Sequence, residues 1–174
     1  MIGLLRGRVV AEEPTGVLLD VAGVGYDVTI PAGTLGRAPR QPSGDVELWI
    51  HTHVREDALD LFGFASELDR RVFRLLVSVP NVGPRTAIGV LGALSIGELS
   101  AAITARDLVR LGKVPGIGKK TAERLVVELS EKLPAALPAT TATEGGRGKA
   151  ALGGTSELLL KALVNMGYRP GEAE

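Results

Sequence analysis

Two nine-residue stretches of this chain are similar in sequence: Val79-Pro-Asn-Val-Gly-Pro-Arg-Thr-Ala87 and Val114-Pro-Gly-Ile-Gly-Lys-Lys-Thr-Ala122. They align without gaps at an offset of 35 residues, from Val79 to Val114. Each copy follows a stretch with helical periodicity and opens another. An apolar residue stands between residues that tolerate positive φ, so it can turn inward between the two helices. The repeat therefore predicts two helical hairpins, each with a tight turn.

The first turn of the second helix in each hairpin predicts an anion site. Its N–H groups have no partner within the helix, and the helix dipole favours negative charge there. Cationic side chains and threonine hydroxyls stand beside those amides, which suits backbone phosphates and carries no base code. One copy alone would be explained as a Gly-capped hairpin without a ligand, but two copies with matched cations favour DNA. The predicted DNA-contacting residues are Asn81, Val82, Gly83, Arg85, Thr86, Gly116, Ile117, Gly118, Lys119, Lys120 and Thr121.

A nucleotide-binding phosphate loop does not fit the second copy, although residues 116–121 look superficially like one. Such a loop needs a glycine five residues before Gly118, where this chain has Lys113. It also needs Ser or Thr directly after Lys119, where Lys120 stands, and a strand in front of the loop. We therefore exclude ATP binding at this loop.

Residues 1–64 show strand patterns separated by turn residues. Five short strands with Gly-rich turns predict a small closed or partly open barrel, while a sandwich is the competing arrangement that periodicity does not exclude. A short helical turn is predicted at residues 31–35. The predicted strands are Ile2–Val10, Gly16–Val21, Tyr26–Ile30, Val46–His53 and Leu59–Phe64, with turns at residues 13–16 and 22–25.

Residues 65–134 predict a compact domain of short helices. Ser66 begins the first helix, and Ser95 with Glu98 fits a capping box. A short helix is predicted from Thr104 to about Gly112, and the last one from about Gly118 to Lys132, before Pro134.

The remainder of the chain predicts a flexible linker, residues 135–154, rich in Ala, Thr, Pro and Gly. Residues 155–174 follow with one amphipathic helix. A lone helix cannot bury its own apolar face, so this segment either docks elsewhere or is the start of a small helical domain that is cut short. The expected fold is thus α+β and multidomain.

The formal net charge is zero because 20 basic residues balance 20 acidic ones, but the two signs are distributed unevenly along the chain. Residues 1–64 carry a net charge of −4, residues 65–134 carry +4, and the rest is neutral. A basic block of this kind is typical of proteins that bind a polyanion. Within it the cations concentrate at Arg106, Arg110, Lys113, Lys119, Lys120 and Arg124.

Composition excludes several classes of protein. There is no cysteine and there are only two histidines, so neither a disulfide framework nor a thiolate metal site is available, and no metal or cofactor is predicted. Aromatic residues make up 3% of the chain, and the first domain is acidic, which argues against a general single-strand binder. Without a long apolar span we expect a soluble cytoplasmic protein that binds no membrane.

The hairpin turns are similar to helix-hairpin-helix motifs, and their order after a barrel resembles the RuvA family of bacterial Holliday junction DNA-binding proteins. Residues 1–7, 54–58 and 61–64 resemble that family as well. The resemblance implies an oligonucleotide-binding-fold barrel, a tandem helix-hairpin-helix domain and a third domain that contacts the hexameric RuvB ATPase. It also implies a homotetramer, or an octamer on DNA, that holds a four-way junction open and square-planar for branch migration in recombination and repair. A junction-resolving endonuclease is a further implied partner.

The resemblance also assigns roles that the residues alone do not. Glu56 and Asp57, which by themselves indicate an ordinary solvated turn, match the family's acidic pin at the junction centre. Asn81 departs from the usual glycine of the motif, and the third domain is shorter than the family's three-helix bundle. The residues expected to contact the ATPase are Leu158, Leu159, Leu163, Met166 and Tyr168.

The competing function is a repair glycosylase or nuclease that uses the same hairpins for docking. Such an enzyme needs a carboxylate or lysine close to the turn. Residues 88–91 offer none after the first turn, while Glu123 and Glu128 follow the second. We therefore assign no catalytic residue and expect a subunit that is not itself an enzyme.

Overall fold

The N-terminal strands close into a barrel in the computed structural model, which describes residues 1–136. The strands are β1 (Leu4–Glu13), β2 (Gly16–Val21), β3 (Val24–Thr29), β4 (Val46–Val54) and β5 (Leu59–Phe64). Their order around the barrel is β1-β2-β3-β5-β4, and β3 joins β5 in parallel through Thr29 and Phe62. All other pairs are antiparallel. The predicted five-stranded barrel of the oligonucleotide-binding type is confirmed, and the sandwich is excluded.

Gly7 marks the place where β1 passes from one neighbour to the other. Residues up to Gly7 pair with β4, whereas Arg8 and the residues after it pair with β2. A Cβ atom at Gly7 would lie 2.1 Å from the carbonyl oxygen of Asp20. Because no side chain fits there, glycine at this position lets a single strand close both sides of the barrel.

The strand ends differ from the prediction where local bonding decides them. β1 begins two residues later than predicted, because the Thr52 hydroxyl occupies both backbone groups of Ile2. The turn predicted at residues 22–25 is only two residues long. Ala22 and Gly23 both have positive φ, which is the geometry of a tight hairpin, so β3 starts at Val24 instead of Tyr26.

Six helices lie among the described residues. They are α1 (Thr34–Arg37), α2 (Glu67–Val77), α3 (Pro84–Ala93), α4 (Ile96–Thr104), α5 (Leu108–Gly112) and α6 (Lys119–Ala136). The predicted caps are confirmed: the Ser66 hydroxyl accepts from the N–H of Asp69 at 3.1 Å, and Ser95 with Glu98 forms a complete capping box. The helical turn predicted at residues 31–35 lies later, in α1.

Two helix boundaries were predicted wrongly. Thr104 ends α4 and does not begin α5, because Arg106 takes a left-handed conformation and Asp107 caps the next helix through the N–H of Arg110. α6 continues through Pro134 to Ala136. Proline removes one helical donor, but the two alanines after it are strong helix formers. The first two residues of the predicted linker are therefore helical.

Polar contacts join the barrel to the helices. Arg70 of α2 donates to the carbonyl oxygens of Gly3 at 2.8 Å and Ile50 at 3.2 Å, and its guanidinium lies 4.8 Å from the ring centroid of Trp49. Burial lowers the pKa of Arg70 from its usual value, since it disfavours the charged form. The buried carboxylate of Asp69 pairs with Arg37 of α1 at 3.3 Å. These contacts fix the helical domain on the barrel.

β5 contributes side chains to both hydrophobic cores. Leu61 faces the barrel interior, whereas Phe62 and Phe64 pack with Phe73 among the helices. Most of the predicted linker and all of the predicted final helix fall in residues 137–174, which lie outside the described residues. No single helix of residues 1–136 is long and apolar enough to cross a membrane, and α3 with α4 reaches that length and composition only as a pair bent by 99°.

Candidate nucleic-acid interface

The first hairpin turn joins α2 to α3. Asn81 has φ 69°, the left-handed conformation that its sequence position predicted. Val82 is 3% exposed, and its N–H donates to the carbonyl oxygen of Val79 at 3.0 Å. The helix begins at Pro84, and the N–H of Ala87 makes the first helical bond, to the Gly83 carbonyl oxygen. The buried valine thus anchors the turn and leaves its flanks on the surface.

The second turn, between α5 and α6, repeats this geometry. Gly116 has φ 85° and occupies the position equivalent to Asn81. Ile117 is 5% exposed and donates its N–H to the Val114 carbonyl oxygen at 3.1 Å. The N–H of Ala122 bonds to the Gly118 carbonyl oxygen at 2.9 Å. The sequence repeat is therefore also a structural repeat.

The two hairpins pack against each other reciprocally. Arg124 of α6 reaches the carbonyl oxygen of Pro80 in the first turn, with Nη1 at 3.5 Å. The residues 35 positions away are also close together: a Cβ atom added to Gly89 of α3 would lie 3.9 Å from the Pro115 carbonyl oxygen. Because each turn lies against a helix of the other hairpin, the two turns belong to one packed unit.

Free amides face outward at both turns. The N–H groups of Gly118, Lys119, Lys120 and Thr121 donate to no other described residue. In the first turn Gly83, Arg85 and Thr86 are equally free within residues 1–136, and Pro84 contributes no donor. The second turn therefore offers one more amide to a phosphate than the first.

The cations at these turns are exposed and uncompensated. Arg85, Lys119 and Lys120 form no ion pair with any described residue, and the same is true of Lys113 and Arg106. Four barrel-domain arginines, by contrast, are paired with carboxylates: Arg6, Arg8, Arg37 and Arg55. Within residues 65–134, Arg70, Arg71, Arg110 and Lys132 are ion-paired as well, so the free positive charge of this segment includes the cations at the hairpin turns and not Arg110 of the predicted cationic block.

The predicted pin residues occupy the tip of a hairpin. β4 and β5 are joined by a turn in which the N–H of Arg55 bonds to the Ala58 carbonyl oxygen at 2.8 Å. Glu56 and Asp57 are its two central residues, both are exposed, and neither forms an ion pair within the described part of the chain. The Asp60 carboxylate bonds to Arg55 at 2.8 Å and raises the pKa of that guanidinium.

Some predicted site residues have roles other than direct contact. The side chains of Val82 and Ile117 belong to the core and their N–H groups are bonded within the turn, so they shape the surface that their neighbours present. Arg124, which bonds to the first turn, was predicted only as a member of the cationic block and not as a residue of the hairpin sites. The residues expected to contact the ATPase lie outside the described residues. No group of three potential metal ligands occurs among residues 1–136.

A closed oligonucleotide-binding-type barrel followed by two helix-hairpin-helix turns of the same geometry defines a class of DNA-binding protein. Two family models match in the same order. Residues 1–63 match the RuvA N terminal domain, and residues 73–131 match the SAM-like helix-hairpin-helix tandem.

Full-length relatives agree with this class. Proteins named "Holliday junction branch migration complex subunit RuvA" are 49% identical in Anaeromyxobacter sp. (strain Fw109-5), 44% in Thioalkalivibrio sulfidiphilus and 45% in Solibacter usitatus. The alignments cover 99–100% of this chain and 86–87% of those proteins. The chain belongs to the RuvA family.

Proposed function

We propose that this protein binds four-way DNA junctions by their shape and serves as the DNA-binding, non-catalytic subunit of a branch migration complex in the cytoplasm. The observation that carries the proposal is the reciprocal pair of turns. Two equivalent sites with free amides and unpaired cations suit two phosphates of one DNA arm. Because they offer no base-reading side chains in a groove, binding follows DNA geometry and not sequence.

The distribution of charge supports a junction over a plain duplex. Cations surround the hairpin turns, while the pin residues Glu56 and Asp57 place uncompensated carboxylates at a protruding tip. Phosphates converge where four arms cross, so carboxylates there repel them while the hairpins hold the arms. A linear duplex has no such centre and gains nothing from this arrangement.

Assembly completes the proposal. One protomer offers one pair of turns, and a four-way junction has four arms, so a homotetramer matches protein symmetry to DNA symmetry. We propose that residues 155–174, which include Leu158, Leu163 and Tyr168, contact the hexameric RuvB-type ATPase that supplies the energy for branch migration. The working division of the chain remains residues 1–64, 65–134, 135–154 and 155–174, with α6 extending two residues into the third segment.

A gel mobility-shift titration tests the proposal with a labelled four-way junction and a linear duplex of the same sequence. We expect the junction to bind at least about a thousandfold more tightly at physiological salt, in the range typical of specific over non-specific binding. Equal affinity for both would contradict it. Incubation of the same complexes with Mg²⁺ separates the enzymatic alternative, because a glycosylase or nuclease would cut junction or damaged DNA.

A further inference from the structure

A cleft of about 870 Å³ separates the barrel from the first hairpin turn. One wall comes from the barrel and includes Thr15, Thr29 and Arg55, and the other comes from Gly83 and Arg85 at the start of α3. The helix-hairpin-helix repeat does not account for the barrel wall. The cleft begins directly beside the hairpin that carries the pin residues, since Arg55 is the residue before Glu56.

The polar groups that line this cleft suit phosphate oxygens. Arg55 lines the cleft and pairs with Asp60 at 2.8 Å, with its side chain still 60% exposed and open to a ligand. Arg85 has no ion-pair partner among the described residues, so the cleft keeps an excess positive charge. Two threonine hydroxyls and the free amide of Gly83 add neutral donors. Two guanidinium groups with neutral donors form the set that phosphodiester oxygens accept best.

We propose that this cleft binds one phosphodiester of a DNA strand, with Arg55 and Arg85 contacting the same phosphate. The inference rests on the proposed function and adds a binding site in the barrel wall to it. The strand repelled by Glu56 and Asp57 would pass from the pin directly to Arg55, one residue away. From there it would reach the first hairpin turn through Arg85. The cleft would thus receive the strand that the pin pushes aside.

A double-mutant cycle on the full chain tests whether the two arginines share a phosphate. Arg55→Gln and Arg85→Gln should each weaken junction binding about tenfold and reduce the salt slope by about one. The double variant should lose far less than the product of the two effects, because a shared phosphate is lost only once. Arg8→Gln is the matched control: Arg8 is an ion-paired, exposed barrel arginine outside the cleft, and its loss should change affinity less than twofold.

A junction with single methylphosphonate linkages identifies the phosphate itself. The neutral linkage is moved outward from the crossover one position at a time. At one position it should weaken junction binding by the wild type. At that same position it should not weaken junction binding by Arg55→Gln or by Arg85→Gln any further. Far-ultraviolet circular dichroism of each variant checks that it is folded, and Arg55→Lys should restore part of the affinity. The inference is overturned if Arg55→Gln behaves like Arg8→Gln, if the two effects multiply fully, or if no such position exists. Failure of the proposed function is distinct, since the wild type would then not prefer the junction.

Discussion

Gly116, the left-handed residue of the second turn, lies against Thr86 at the start of α3 in the first hairpin. A Cβ atom at Gly116 would be 3.8 Å from the Thr86 hydroxyl oxygen, which is ordinary van der Waals contact. Space therefore does not require glycine at this position. The φ of 85° at Gly116 requires glycine, because a residue with a side chain is strained in that conformation.

Gly116→Ala should lower the free energy of unfolding by about 1–2 kcal/mol through backbone strain alone. Gly83→Ala is the matched control, since Gly83 has φ −83° and open space around it. That change should cost less, at most about 1 kcal/mol, because it adds no left-handed strain and only replaces a glycine N-cap of α3 with the less favourable alanine. Urea unfolding of both variants measures the difference, and equal losses would show that the turn is not held in its left-handed form.

Replacing both lysines of the second turn tests the phosphate site. Lys119→Ala with Lys120→Ala should weaken junction binding at least tenfold and lower the salt slope by about two, since each lysine neutralises one phosphate. Lys132→Ala is the control, because this lysine lies near the other end of α6 and pairs with Glu128 at 3.2 Å. Binding titrations at several salt concentrations give both quantities. A salt slope that stays at the wild-type value would show that the two lysines of this turn do not contact phosphates.

The pin residues should act on the junction centre and not on affinity. Glu56→Lys with Asp57→Lys is expected to preserve or strengthen DNA binding while it impairs opening of base pairs at the crossover. Fluorescence of 2-aminopurine placed at the crossover measures that opening. Glu12→Lys with Glu13→Lys makes the same charge change on another exposed barrel hairpin and should leave opening intact. If the pin variant instead discriminates more strongly against duplex, the repulsive role is wrong.

Acid should destabilise the fold through His51. Burial lowers the pKa of His51 below 6.5, assisted by the nearby charges of Arg74, His53 and Arg70. The unfolded chain then binds a proton more readily than the folded one, so His51 contributes stability above pH 6.5 that is lost as the pH falls. The free energy of unfolding should decrease as the pH falls through 6.5. His51→Gln should flatten this dependence, and an unchanged pH profile would assign it to other groups.

The hairpin turns were predictable because their signals are local. Asn81 and Gly116 mark left-handed positions in the sequence itself, and the spacing of the repeat places the free amides beside their cations. The capping box at Ser95 is equally local. Such features depend on residues within one or two helical turns of each other, so the structure confirmed them.

Features that depend on distant residues were not predictable. Barrel closure rests on the pairing of Thr29 with Phe62, and periodicity left a sandwich open. The cleft brings Arg55 and Arg85 to facing walls although 30 residues separate them. The start predicted at Thr104 failed because Asp107, three residues later, provides the stronger cap.

The central claim is that cationic hairpins and an acidic pin together hold a four-way junction open and square. Energy transfer between dyes on pairs of arm ends tests this most directly, in Mg²⁺ with and without protein. We predict that the bound junction gives one efficiency for all four adjacent pairs and a lower one for both opposite pairs. A bound junction whose adjacent arms remain in unequal, pairwise-stacked classes would contradict the claim.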